Sequence, residues 1–266
     1  MMYFITIVRN VILSKWVYKF DFFLGIMESW IELLVHLLVW MSLFATVNGQ
    51  VVKGYSLSDL ITYTIVSRIA GMIANTKFSL NFADSIKTGD ISLNLIVPYS
   101  TRLIFIAKSL GNSCVNLLTV GLPLLLTSAL FESYIQPPIS KIHFIFFLIS
   151  LFGALMICIT FELLSGVLAF WKVPGDFIEW YFSIFFVLLS GSIVPLWFFP
   201  SWLNELAKLL PFQAVFFIPA QIYMGRFNVD GIIWALFTQL GWVLVLFILH
   251  DILWRRGIRN LTILGG

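Results

Sequence analysis

Glu28, Glu32 and His36 follow one another at intervals of four, so in a helix all three stand on one stripe. Two carboxylates and an imidazole on one face are the residue types of a proton or ion relay, and beside a nucleophile they would serve as acid and base. Their setting narrows the chemistry. The stripe falls inside an apolar run, residues 22–47, that is long enough to cross a bilayer. At about 1.5 Å per residue, Glu32 lies roughly 15 Å inside the cytoplasmic edge of that run. Arg68, counted back from Lys77, reaches nearly the same depth, and Glu162 is similarly placed in a later run. An unpaired charge there would cost several kcal/mol, so Arg68 is expected to pair with Glu32 or Glu28 inside a helix bundle. The cluster of Glu28, Glu32, His36, Arg68 and Glu162 either only holds helices together or also lines a substrate path.

The elements that carry these residues are apolar helices. Hydrophobic residues make up 60% of the chain and charged residues 11%, and the mean hydropathy is +0.99, a composition that water does not solvate. Six runs are long enough to span a membrane: residues 22–47, 57–76, 103–131, 142–171, 177–199 and 229–254, the second being short and interrupted by Arg68. A closed β-barrel would instead show alternating segments of about ten residues. The fold class expected is therefore all-α, a single polytopic domain over residues 1–266. With a cytoplasmic N-terminus, twelve of the sixteen Lys and Arg fall on the cytoplasmic side, and Lys53, Lys141, Lys208 and Arg226 fall outside. The positive-inside rule then places both termini in the cytoplasm. Within residues 1–21, Tyr3, Phe4, Ile7, Val8, Val11 and Ile12 recur at helical spacing against Arg9, Asn10 and Lys15, as in a helix lying in the cytoplasmic headgroup layer.

Several chemistries are excluded. The net charge of +3 sits at helix ends and offers no basic surface for nucleic acid. Cys114 and Cys158 lie within predicted spans, away from an oxidising compartment, and act as small apolar residues. With His36, His143 and His250 in different spans, no metal-ligand spacing can be assembled. Ser190-Gly191-Ser192 lies in an apolar span without a convergent histidine and acid, so small-residue packing is its expected role. There is no G-x-x-x-x-G-K-[ST] loop, so an ATP-driven engine would have to be another chain. No catalytic residue and no cofactor are assigned to this chain.

Two segments interrupt the pattern of rods and short loops. In residues 77–102, Asn81, Asp84, Ser85, Lys87, Asp90, Asn94 and Pro98 break the hydrophobicity on the cytoplasmic side, and Thr88-Gly89-Asp90 is turn chemistry. Residues 78–87 before that turn can form a short amphipathic helix parallel to the membrane, either a surface that a partner pushes or a plain connection. In residues 195–225, Pro195, Pro200, Pro211 and Pro219 stand among Trp197, Phe198, Phe199, Trp202, Phe212, Phe216 and Phe217. Each proline removes a backbone donor, yet the segment is too apolar for a solvated loop, so a re-entrant pair of short helices in the outer leaflet is expected. Pro195, Phe199, Pro200, Trp202, Pro211 and Phe212 then form either an outer gate or an aromatic anchoring belt.

The run Thr88-Gly89-Asp90-Ile91-Ser92-Leu93-Asn94-Leu95-Ile96-Val97-Pro98, the outer runs Gly191-Ser192-Ile193-Val194-Pro195, Phe199-Pro200-Ser201-Trp202-Leu203 and Leu210-Pro211-Phe212, and the ending Trp254-Arg255-Arg256-Gly257-Ile258-Arg259 with Gly265-Gly266 look like an ABC-2-type permease. The chain resembles the bacterial six-span permeases that occur as paired, non-identical subunits with one separate ATPase. The resemblance implies a type V exporter-like fold. Two permeases meet on a central cavity, two ABC ATPase subunits dock below with their ATP and Mg, and the site is the bacterial plasma membrane. It makes the N-terminal helix and Phe78, Asp84, Lys87, Thr88, Gly89 and Asp90 the ATPase-coupling surface. It also implies a non-catalytic subunit that moves a hydrophobic or amphipathic cargo such as a lipid, drug or peptide. The rival reading is a secondary transporter in which Glu28, Glu32, His36 and Arg68 relay ions or protons, which internal inverted repeats would favour; no convincing repeat is found.

Overall fold

Long apolar runs free of proline become long helices, because in hydrocarbon every backbone polar group must be satisfied within its own segment. The computed structural model describes residues 2–15, 19–46, 51–74, 101–121, 134–171 and 175–259. Its helices, numbered among those residues, are α1 (Met2–Lys15), α2 (Lys19–Thr46), α3 (Leu57–Ala74), α4 (Thr101–Asn116), α5 (Lys141–Val167), α6 (Gly175–Leu189), α7 (Ser201–Lys208), α8 (Phe217–Tyr223) and α9 (Val229–Ile258). Among the described residues the extended structure is a single isolated pairing of Val52 with Tyr55.

Among the described residues, three helical stretches are long and apolar enough to cross a membrane: Phe23–Thr46, Lys141–Trp171 and Val229–Ile258, of 24, 31 and 30 residues. At about 1.5 Å per residue they measure roughly 36, 46 and 45 Å against a hydrocarbon core of about 30 Å. Local chemistry sets their ends. The Ser140 side chain accepts from the His143 amide at the start of α5, and Asn228 Oδ1 accepts from the Gly231 amide at 2.9 Å at the start of α9. Arg255 and Arg256 stand in the last turn of α9, where positive charge suits the helix dipole.

α3 is the centre of the bundle. Residues 59–67 are buried without interruption, so this helix touches protein on every side. α2 packs along it through Leu33, Leu37, Trp40 and Phe44, and α8 packs against both α3 and α5. α5 and α9 lie along each other, and α1 lies along α4, where a Cβ on Gly111 would stand 3.0 Å from that of Val11. The lipid-like surfaces are elsewhere: α2 and α9 expose rows of Leu, Ile, Val, Phe and Trp.

One boundary differs from the sequence expectation, and another lies outside the described residues. The fifth run, expected over residues 177–199, is helical only to Leu189; Gly191 takes a φ of 81°, and Pro195 cannot extend a helix ladder. The third, expected over 103–131, is helical through Asn116 and continues as the π-helical turn Leu117–Gly121, beyond which residues 122–133 lie outside the described residues. Where a pair of short helices was expected in residues 195–225, there are four short helical pieces: the 3-10 turn Leu196–Phe198, α7, the 3-10 turn Pro211–Ala214, and α8. The prolines explain the division. Pro195 and Pro200 immediately precede the first two pieces, Pro211 opens the third and Pro219 stands in the first turn of α8, positions where a missing N–H breaks no helical bond.

Candidate functional site

α2 and α3 bring together part of the charged stripe. Arg68 Nη1 forms an ion pair with Glu32 Oε2, and Arg68 Nη2 stands 3.0 Å from His36 Nδ1. That nitrogen also lies 2.8 Å from the Glu32 carbonyl oxygen. One nitrogen cannot serve both neighbours, since a bare Nδ1 accepts from the guanidinium whereas a protonated one donates to the carbonyl. The expected pairing of Arg68 is thus with Glu32. Glu28, one turn nearer the start of α2, is exposed. Glu162 takes its place against α4, where the Ser109 hydroxyl approaches Oε2 at 3.5 Å.

The outer-gate candidates divide between core and surface. Pro195, Pro211 and Phe212 are buried, and Phe212 stacks on Phe161 of α5 at 5.5 Å and meets Phe186 of α6 edge-on at 5.1 Å. Phe199 is partly buried against the same core, whereas Pro200 and Trp202 are exposed. Phe78, Asp84, Lys87, Thr88, Gly89 and Asp90 lie outside the described residues.

Beside the 195–225 segment the structure assembles a clasp that no sequence motif announced as a whole. Lys53 and Gly54, both at positive φ, turn the chain back between Val52 and Tyr55. From that turn Lys53 Nζ donates to the carbonyls of Trp197 and Phe198 at 3.2 and 3.4 Å, and the Tyr55 ring stacks on Trp197 at 4.0 Å. The guanidinium of Arg226 lies 4.7 Å from the centre of the Tyr55 ring and reaches Asp59 Oδ1 at 2.9 Å. Asp59 Oδ2 accepts from the amide and hydroxyl of Ser56, and the Ser56 hydroxyl accepts from the Asp59 amide. This reciprocal pair is a capping box, and Ser56-Leu57-Ser58-Asp59 carried its sequence signal. Burial pushes the Tyr55 phenol above its ordinary pKa, and Arg226 pulls the other way. Below the clasp, the Tyr63 hydroxyl donates to the Gly191 carbonyl at 2.7 Å, so α3 holds the turn that follows α6.

A third polar tie crosses the bundle. Gln239 of α9, 2% exposed, donates through Nε2 to the carbonyls of Ser150 and Ala214 at 3.1 and 2.7 Å, joining α9 to α5 and to the 3-10 turn Pro211–Ala214. Chemically the arrangement is one of charge pairs and carbonyl clamps between apolar helices, suited to fixing and releasing helix positions.

Comparison with known proteins fits such a scaffold. No curated protein matches the chain. The family model described as ABC-2 family transporter protein, however, matches residues 30–265, from partway along α2 across every later element. The chain, with its ion-paired apolar helices and its proline-divided segment before α9, belongs to the ABC-2 family of transporter proteins.

Proposed function

We propose that this chain is the permease subunit of an ATP-driven exporter. It spans a bacterial plasma membrane six times with both termini in the cytoplasm. A second permease faces it across a translocation cavity, and separate ATPase subunits hold the nucleotide. Membership of the ABC-2 family over residues 30–265 carries this reading, because that family's proteins are membrane transport components working with ABC ATPases. The polar ties support it. Movement at residues 78–90 would be passed to α3, tilt the bundle and release the clasp of Lys53, Tyr55, Asp59 and Arg226 from the Trp197–Phe198 carbonyls. A hydrophobic or amphipathic cargo would then leave past Phe199 and Trp202. The rod-like, buried α3 suits this transmission, since it carries Arg68 toward one end and Asp59 at the other.

The test is affinity purification of the full chain in mild detergent from its own cells, followed by mass spectrometry. A co-purifying soluble ATPase with a phosphate-binding loop, lost on Lys87→Glu with Asp90→Lys, is the expected result. A chain that purifies alone and moves protons or ions in liposomes without ATP would refute the reading in favour of a secondary transporter.

A further inference from the structure

The guanidinium of Arg226 occupies a site that other residues build. It lies over the Tyr55 ring at 4.7 Å, and that ring is itself stacked on Trp197 at 4.0 Å. Asp59 Oδ1 accepts from Arg226 Nη2 at 2.9 Å, while Oδ2 is taken by the amide and hydroxyl of Ser56, each at 2.9 Å. The supports of both walls bypass Arg226. Tyr55 is fixed by the Trp197 stack and by two backbone bonds with Val52, both 3.0 Å, and Asp59 is fixed by Ser56. With the guanidinium gone, an aromatic face and one carboxylate oxygen would still converge on the same place. The two members of the ion pair also differ in standing, for the Asp59 side chain is 10% exposed and that of Arg226 37%. The carboxylate belongs to the body of the protein, and the cation is the part that can leave. Its backbone need not move: Gly225, at a φ of 65°, and Arg226 cap α8, donating to the carbonyls of Ile222 and Gln221 at 3.1 and 3.0 Å. Apolar surface adjoins the site, since exposed Ile139 packs directly on Gly225.

We propose that Tyr55 and Asp59 form a binding site for an organic cation, the guanidinium or alkylammonium head of an amphiphile, which Arg226 fills until the ligand displaces it. The inference rests on the permease reading in taking that amphiphile as cargo, and adds to it the charge of the cargo. An aromatic face beside a carboxylate attracts a cation and repels an anion, and desolvated organic cations gain most from the ring. Ile139 offers the start of the tail an apolar surface. The way the site opens follows from where its parts are carried. Tyr55 and Asp59 stand together at the start of α3, whereas Arg226 stands between α8 and α9. A shift of α3 therefore draws both walls away from Arg226 at once and hands them, still assembled, to another cation.

The test is thermal unfolding of the full chain in a neutral maltoside detergent, titrated with methylguanidinium and with butylguanidinium. Arg226→Ala should be stabilised saturably, by about 3–5 °C at a tenfold excess over the dissociation constant. The unaltered chain should shift by less than about 1 °C, because its own guanidinium competes. Butylguanidinium should reach half its effect at about a tenfold lower concentration than methylguanidinium, its three further methylenes being partly buried. The double variant Arg226→Ala with Asp59→Asn should respond to neither. A shift in Arg226→Ala that is missing, is matched by sodium chloride, or survives Asp59→Asn would overturn the site. Equal potency of the two guanidiniums would overturn its assignment to an amphiphile. Should Arg226→Ala give no folded chain, the readout becomes recovery of folded chain when methylguanidinium, but not sodium chloride, is present during extraction; no recovery counts against the site. The isolated chain suffices for all of this, so the two ideas fail separately. A co-purifying ATPase without the cation shift sinks the site alone, and the cation shift in a chain that has no ATPase partner sinks the permease reading alone.

Discussion

Gly153 and Gln239 form a lock whose failure follows from its geometry. A Cβ on Gly153 would stand 2.8 Å from Gln239 Oε1 and 3.1 Å from Cδ, inside van der Waals contact. The branched side chain of Gly153→Val leaves the amide nowhere to stay, so Nε2 must abandon the Ser150 and Ala214 carbonyls. A buried group stripped of its partner costs about 1–3 kcal/mol, and the gain in helix propensity from Gly to Val returns only about 0.5 kcal/mol. With the steric strain of an overpacked site added, the single variant should lose about 2–4 kcal/mol, measured as equilibrium unfolding by SDS in mixed micelles and followed by tryptophan fluorescence. Gln239→Ala should lose a similar amount, because it vacates the same bonds. The decisive quantity is the double variant. If Gly153→Val acts by evicting the amide, the new side chain occupies space that Gln239→Ala has emptied, and the pair should lose about 2–3 kcal/mol less than the sum of the singles. Additivity within about 0.5 kcal/mol would refute the lock and assign each effect to its own helix.

The Arg68–Glu32 ion pair and the Lys53 clasp make separate predictions. Glu32→Arg and Arg68→Glu should each lower the yield of folded chain in membranes, and together they should recover most of it; a double variant as poor as its worse parent would show that the pair contributes nothing. Asp59→Asn removes the charged partner of Arg226 and weakens the Ser56 cap, freeing the turn that holds Lys53 on two carbonyls. Hydrogen bonds to charged groups are worth about 1.5–3 kcal/mol, and partial exposure of Arg226 places this one at the low end. With the proposed topology, trypsin added to right-side-out vesicles should then cut after Lys53 about tenfold faster, and an unchanged rate would remove the clasp from any account of residues 195–225.

Apolar length was the legible part of the sequence. Runs 22–47, 142–171 and 229–254 became α2, α5 with its 3-10 extension and α9 within a few residues, because hydrocarbon enforces helix over any unbroken apolar stretch. The run at 57–76 read poorly for a physical reason. Thr62, Thr64 and Ser67 lower its hydropathy, but they are buried: Thr64 Oγ1 accepts from Trp40 Nε1 at 3.1 Å and Thr62 Oγ1 from the Gln136 amide at 2.9 Å. A helix that faces protein all round needs polar partners more than lipid solubility, so its hydropathy understates its depth. The stripe of Glu28, Glu32 and His36 was visible in spacing alone, and so was the depth match with Arg68. Which carboxylate Arg68 would choose was not, because that depends on how α3 rolls against α2. The clasp was hidden for another reason: Lys53 and Tyr55 are far in sequence from Trp197 and Arg226, and only the Ser56–Asp59 box announced itself.

The two polar clusters share one helix, and this sets what any conformational change must do. Asp59 and Arg68 are nine residues apart on α3, about 14 Å along its axis. The residues between them, Leu60 to Ser67, include no glycine or proline, and all are buried. An unbroken helix gripped on all sides moves as a rod, since bends need a proline, a glycine or an inserted side chain. Displacement of α3 at the Arg68 end therefore cannot be absorbed before it reaches Asp59 and Tyr63. Tyr63 in turn holds the Gly191 carbonyl, the point where α6 stops, and Asp59 holds Arg226 just ahead of α9. Moving α3 strains both contacts at once, while the Gln239 tie keeps α9, α5 and the Pro211–Ala214 turn together as the body against which it moves.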